Sequence, residues 1–132
     1  MNTMAFQFDP LVNASALYEL YEEDYDYIEE VFRMATRHCK EELARLDEQF
    51  HAGSPESIKK TVHKLGPVFG YAGIPQLQEK CSLFENLCQA SGSLEEINDD
   101  YHSLVREINK AMGALESDMH RLAEFKKNNE CP

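Results

Sequence analysis

Apolar residues recur at three- and four-residue spacing in four long segments of this 132-residue chain, and this pattern decides the fold class. Such spacing places apolar side chains along one face of an α-helix. Strand patterns, in which apolar and polar residues alternate, are nearly absent. The sequence therefore predicts an all-α fold in which four helices, joined by short connections, form an antiparallel four-helix bundle around their facing apolar stripes.

Aspartate, serine, proline and glycine mark the borders of these helices. Asp24 is predicted to cap the first long helix, which ends at Gly53. Pro55 and Pro75 are predicted to open the next two helices, because proline costs no hydrogen bond in a first helical turn. Ser93 has the spacing of a capping box that leads into the last helix.

The two ends of the chain differ in composition. Residues 1–12 are too apolar for a free tail, and we predict that this segment packs across one end of the bundle. A short N-terminal helix is expected from about residue 15 to residue 21. The sequence predicts a single helical domain over residues 1–125, followed by a flexible polar tail over residues 126–132.

Composition excludes several classes of function. With 13 basic and 24 acidic residues and a net charge of -11, the chain lacks the concentrated positive charge that nucleic-acid binding requires. No glycine-rich phosphate loop is present, so ATP is not expected as a direct ligand. Cys81 and Cys88 fall on an apolar stripe and are interpreted as core thiols. With no signal-peptide pattern and no apolar run of about 20 residues, the sequence predicts a cytoplasmic protein without a membrane segment.

One histidine stands out by its direction. His63 lies roughly 140° from the centre of the apolar stripe of its helix, so its side chain is expected to face solvent. Lys59, Lys60 and Lys64 surround it and make this helix locally basic within an acidic chain. We therefore treat His63 as the candidate functional residue and the three lysines as candidate contacts for a phosphate or a partner.

The residues that follow His63 are unusual for a helix. Gly66 and Gly70 fall on the same face as His63 and are expected to leave the neighbouring backbone bare for a partner. Pro67 leaves two alternatives, because proline removes a helical hydrogen bond. Either the helix stops at Leu65 and a loop follows, or a kinked helix continues to about Gly73; continued apolar periodicity favours the second.

The segment around His63 resembles the phosphoacceptor motif of histidine-containing phosphotransfer (HPt) domains, and the resemblance extends over roughly residues 11–125. His63, Leu65 and Gly73 match that motif. The match continues on the next helix with Leu77, Cys81, Phe84 and Glu85. Gly66 and Pro67 depart from it, because the family usually has lysine and then glycine there, so phosphate stabilisation by a lysine at this position is missing.

The resemblance implies a phosphoryl carrier without turnover of its own. His63 would accept a phosphoryl group on Nε2 from the aspartate of a response-regulator receiver domain and pass it to another receiver. The phosphate or the partner would be contacted by six residues around His63: Lys59, Lys60, Lys64, Gly66, Pro67 and Gly70. The partners would be receiver domains and a hybrid sensor histidine kinase, and the receiver would supply Mg²⁺, so the chain needs no cofactor or metal.

Two other functions fit a helical bundle. A metal enzyme could use Glu48 with His51, or Asp99 with His102, but these histidines lie outside the predicted core stripes. A non-phosphorylated adaptor, or pseudo-HPt protein, would keep the fold and bind a partner without phosphate chemistry. The departures at Gly66 and Pro67 leave this alternative open.

Overall fold

The structure, a computed structural model, describes residues 5–129 of the chain, and this range contains five α-helices. They are α1 (Ala14–Tyr21), α2 (Tyr25–His51), α3 (Pro55–Tyr71), α4 (Pro75–Ala90) and α5 (Leu94–Asn129). No β-strand occurs within residues 5–129. The predicted all-α fold class is confirmed.

The four longer helices form a closed antiparallel bundle. Each of α2, α3, α4 and α5 packs against the next, and α5 returns to α2. The end of α2 meets the start of α5, where the rings of Phe50 and Tyr101 stack with centroids 4.4 Å apart. At the other end, Lys126 of α5 pairs with Asp26 of α2 at 2.7 Å. The apolar stripes of all four helices meet in one core.

The predicted borders of the helices agree with the structure. The Asp24 carboxylate accepts a hydrogen bond from the backbone N–H of Tyr27 at 3.1 Å and caps α2. Pro55 and Pro75 occupy first-turn positions of α3 and α4. The hydroxyl of Ser93 accepts a long hydrogen bond, 3.4 Å, from the backbone N–H of Glu96 at the start of α5.

Residues 5–12 form a strap that is tied to α5. Phe6 and Val12 of the strap are buried in the core. The backbone N–H of Asp9 donates to the carboxylate of the fully buried Asp118 at 3.0 Å, and Arg121 pairs with the same carboxylate at 2.6 Å. Burial raises the pKa of Asp118, and the hydrogen bond from Asp9 opposes that shift. For residues 5–12 the predicted packing at one end is confirmed; residues 1–4 lie outside the described range.

The prediction of a flexible tail is wrong for residues 126–129. Helix α5 continues through these residues to Asn129, and Lys126 pairs with Asp26 and Glu29 of α2. Lys126, one of the polar residues that suggested a tail, instead joins the end of α5 to α2. Residues 130–132 lie outside the described range, and the domain boundary at residue 125 stays a prediction.

Gly73 makes the turn that brings α4 back alongside α3. Its φ of +80° lies in the left-handed region, and an added Cβ would come within 2.8 Å of the Leu17 side chain. Gly53 makes the equivalent turn between α2 and α3 with φ +75°, but an added Cβ there would meet nothing within 4 Å. The same substitution at the two glycines would therefore add backbone strain at both positions but crowding only at Gly73.

Gly73→Ala is expected to lower the free energy of unfolding by about 2–5 kcal/mol, because left-handed strain and crowding of Leu17 add. The matched variant Gly53→Ala should lose only the strain, about 1–2 kcal/mol. Urea unfolding of both variants measures the difference. Equal losses of unfolding free energy in the two variants would show that the Leu17 side chain moves away from the new methyl group and that crowding at Gly73 has no cost.

Candidate functional site

His63 lies in the middle of α3 and projects away from the core. Its side chain is 78% exposed, whereas Val62 and Leu65 on the same helix are fully buried. This contrast follows from the helical period, which turns the side chain of His63 away from the stripe that packs into the bundle. The predicted direction of His63 is confirmed.

Glu85 of α4 holds the His63 ring. Its Oε1 lies 2.8 Å from His63 Nδ1, and its side chain is only 17% exposed. An ionised carboxylate can only accept a hydrogen bond, so Nδ1 carries the proton and donates it to Glu85. In the neutral imidazole this leaves Nε2 with a free lone pair. The contact therefore fixes both the tautomer and the orientation of the exposed ring.

The three lysines divide into two groups. Lys59 is half-buried, and its amino group donates to the side-chain oxygen of Gln89 on α4. Lys60 and Lys64 are exposed on α3, one on each side of His63 in the sequence. Lys60 and Lys64 are therefore the exposed positive charges nearest to His63 in the sequence of α3, while Lys59 contacts α4.

Gly66 and Gly70 do not form a bare flank beside His63, and this prediction is wrong. Gly66 is buried against α4, where an added Cβ would lie 3.6 Å from the Cβ of Cys81. Gly70 lies beneath Gln78 of α4, and an added Cβ would come within 3.1 Å of its Cδ. Helix α4 therefore covers this side of α3, with an ordinary van der Waals contact at Gly66 and the flexible Gln78 side chain over Gly70.

Helix α3 continues without interruption through Pro67. It ends at Tyr71, so the alternative in which the helix stops at Leu65 and a loop follows is wrong. Pro67 is exposed, and its missing N–H removes the donor that would normally reach the carbonyl of His63. The candidate site thus stands on a continuous helix.

Residues 5–129 contain neither a cluster of metal-binding side chains nor a helix that could span a membrane. Within residues 5–129 no group of three or more histidine, cysteine, aspartate or glutamate side chains is arranged to hold a metal ion. His51, a candidate ligand in the metal-enzyme interpretation, instead places its Nδ1 2.8 Å from the backbone oxygen of Asp47. None of the helices in this range combines the length and apolar character needed to cross a membrane.

Comparison with known proteins agrees with this geometry. A family model described as the Hpt domain matches residues 30–124. The chain belongs to the Hpt domain family. It is 24% identical over 95 residues to the signal transduction histidine-protein kinase BarA of Shigella flexneri, and equally to BarA of Escherichia coli strain K12. These matches cover 67% of the chain but 10% of each relative. No solved structure gives a significant match.

The role of Glu85 was not visible from local patterns. Its contact with His63 joins residues that lie 22 positions apart on two helices. The helical periodicity of α4 does not predict which residue of another helix the half-buried Glu85 contacts. The one signal that pointed to it was the resemblance to the family, which has a glutamate at this place in the next helix. This member of the Hpt domain family thus presents an exposed histidine oriented by a carboxylate.

Proposed function

We propose that this protein relays a phosphoryl group between response-regulator receiver domains and that His63 carries the group. The observation that supports the proposal most strongly is the pairing of an exposed His63 ring with Glu85 at 2.8 Å in an Hpt bundle. An imidazole held with its proton on Nδ1 presents Nε2 as the nucleophile.

Each of the two proposed transfers forms one bond to phosphorus and breaks another, and neither requires a cofactor on this chain. The lone pair of His63 Nε2 attacks the phosphorus of a receiver's aspartyl phosphate, the N–P bond forms, and the aspartate leaves as a carboxylate. The ring gains positive charge, which the carboxylate of Glu85 stabilises through the Nδ1 proton. In the second transfer the aspartate of another receiver attacks the same phosphorus, the N–P bond breaks, and neutral His63 is restored.

Receiver domains suit the charges around the site. Lys60 and Lys64 are exposed near His63 on a chain of net charge -11, so an acidic receiver pocket meets positive charge at this helix. The receiver would supply Mg²⁺ and its own lysine, which leaves this protein to position the nucleophile. The protein would then act as a carrier rather than as an enzyme with turnover.

The names of the relatives support a signalling role. BarA is named as a signal transduction histidine-protein kinase. We propose that a histidine kinase, of the hybrid sensor type that the family resemblance implies, is the source of the phosphoryl group. The relay would operate in the cytoplasm, where we expect the receiver domains. Cys39, Cys81 and Cys88 are free and buried, in agreement with a reduced surrounding.

Transfer from a panel of purified, ³²P-phosphorylated receiver domains tests the proposal. We expect at least one receiver to lose its label while the protein gains an acid-labile, base-stable label that maps to His63. A protein that binds receivers but takes label from none of them would be a non-phosphorylated adaptor, and this outcome would overturn the proposed relay.

A further inference from the structure

Two contacts between α3 and α4 lie one helical turn apart. His63 Nδ1 lies 2.8 Å from Glu85 Oε1, and the amino group of Lys59 donates to the side-chain oxygen of Gln89. Lys59 precedes His63 by four residues, and Gln89 follows Glu85 by four residues on the antiparallel helix. Side chains four residues apart lie on the same face of a helix, with Cβ atoms about 5–6 Å apart. The four side chains therefore form one cluster, which we call the α3–α4 seam.

The partner of Lys59 in the seam is uncharged. Lys59 is half-buried and donates to the amide oxygen of Gln89. Elsewhere in residues 5–129, lysines pair with carboxylates, as Lys40 does with Glu116, Lys80 with Glu107 and Lys126 with Asp26. A hydrogen bond between an ammonium group and a carboxylate is stronger than one between an ammonium group and a neutral amide. The contact with Gln89 therefore leaves the positive charge of Lys59 uncompensated, one helical turn from Glu85.

The charges of Lys59 and Glu85 act on the same buried group. Burial raises the pKa of the Cys88 thiol to about 11, Lys59 opposes that shift, and Glu85 adds to it. Glu85 has two carboxylate oxygens, and one of them accepts from His63. An ammonium group binds a carboxylate more strongly than a neutral imidazole N–H does, because both partners are charged. An unrestrained Lys59 would therefore compete with His63 for Glu85.

Competition at Glu85 would change the nucleophile. The hydrogen bond to Glu85 keeps the proton of the neutral His63 ring on Nδ1 and leaves the lone pair on Nε2. If Lys59 paired with Glu85 instead, the ring would be free to rotate and to carry its proton on Nε2. A ring in that tautomer has no lone pair at the nitrogen that is proposed to attack phosphorus. The position of the Lys59 ammonium group thus affects the chemistry of His63.

We propose that Gln89 is a positioning residue, whose amide oxygen holds the Lys59 ammonium group away from Glu85 and so keeps that carboxylate for His63. This inference rests on the proposed function. Glutamine suits the role because its oxygen accepts from an ammonium group without adding a negative charge to the seam. Gln89 contacts Lys59 and acts on His63 through Lys59 and Glu85.

Replacing Gln89 with leucine removes the acceptor, because a leucine side chain forms no hydrogen bonds. In Gln89→Leu, we expect Lys59 to turn towards Glu85. Labelling of His63 by the small phosphoryl donor phosphoramidate should then slow about three- to tenfold, the loss expected for one weakened hydrogen bond. Initial rates of labelling measure the change. Asn86→Leu is the matched control, since it removes an exposed amide from the same helix, and it should be labelled at the wild-type rate.

A second substitution separates competition from a purely structural contact. Gln89→Leu combined with Lys59→Met removes the ammonium group together with its acceptor, while methionine keeps an unbranched side chain. The double variant should be labelled at least about threefold faster than Gln89→Leu alone, because His63 regains sole use of Glu85. If the contact only joined α3 to α4, the double variant would be no faster, since the contact is missing in both. Circular dichroism and urea unfolding establish that each variant is folded.

The tautomer of His63 gives a readout that needs no phosphoryl transfer. At about pH 8.5, where free imidazole is neutral, ¹⁵N NMR distinguishes a ring with its proton on Nδ1 from one with its proton on Nε2. The Nδ1-protonated form should dominate in the wild type. Gln89→Leu should show a mixture of the two tautomers, and the double variant should return to the Nδ1-protonated form.

An unchanged tautomer and labelling rate in Gln89→Leu would overturn the role of Gln89, as expected if Lys59 instead pairs with Glu56, three residues before it. Equal defects in Gln89→Leu and the double variant would also overturn it, because the contact would then only join two helices. If phosphoramidate labels the wild-type protein at no histidine, the proposed relay fails, whereas the tautomer comparison still decides whether Gln89 keeps Glu85 for His63.

Discussion

Replacing His63 with glutamine is expected to reduce phosphorylation of this protein to background, both by phosphorylated receivers and by phosphoramidate. Glutamine has no nitrogen lone pair that can attack phosphorus, because its amide nitrogen is conjugated with the carbonyl. The fold should be unaffected, since the His63 side chain is 78% exposed and contributes nothing to the core. Acid-labile label, measured after separation under basic conditions, gives the result.

His120→Gln is the matched control, because His120 is an exposed histidine on α5, away from α3 and α4. It should accept phosphate as the wild type does. Full labelling of His63→Gln, with the label on another histidine, would show that the histidine oriented by Glu85 is not the phosphoacceptor and would remove the basis of the proposed relay.

Removal of the Glu85 carboxylate is expected to have the second-largest effect. Glu85→Ala takes away the acceptor of the His63 Nδ1 proton, so the ring loses its fixed tautomer and the charge that stabilises it during transfer. A hydrogen bond to a charged group contributes about 1.5–3 kcal/mol, which corresponds to a roughly ten- to hundredfold slower transfer. Single-turnover transfer from a phosphorylated receiver measures this rate.

Two variants distinguish orientation from charge. Glu85→Gln keeps an oxygen that can accept the Nδ1 proton, so its rate should lie between those of the wild type and Glu85→Ala. Glu79→Ala removes an exposed glutamate from the same helix and should leave the rate unchanged. Transfer by Glu85→Ala at the wild-type rate would contradict the role assigned to this carboxylate.

The fold followed from the sequence because its signals are local. Helical periodicity predicts which residues face the core. Each helix border carries a residue that favours a helix start or end, such as Asp24, whose carboxylate accepts a hydrogen bond from the backbone N–H of Tyr27 at 3.1 Å. The exposure of His63 followed from the same periodicity. Continuity of α3 through Pro67 was also correctly favoured, because the apolar period continues beyond the proline and Val68 and Phe69 pack with the core.

The neighbours of His63 could not be predicted in the same way. Periodicity gives the direction of Gly66 and Gly70 around α3, but it does not say that α4 covers that side, so two packing glycines were interpreted as an open surface. The prediction of a flexible tail was wrong for residues 126–129 for a related reason. The ion pair of Lys126 with Asp26 joins residues that lie far apart in the sequence, and a local pattern does not reveal it. Contacts between helices decided both outcomes.

The position of the phosphoryl group on one ring nitrogen of His63 shows directly whether Glu85 orients the nucleophile. We would phosphorylate uniformly ¹⁵N-labelled protein with a transferring receiver and locate the phosphorus by ³¹P–¹⁵N correlation NMR. With Nδ1 protonated and held by Glu85, we expect a single phosphoramidate on Nε2 of His63. Phosphate on Nδ1 of His63, or on any other residue, would contradict it.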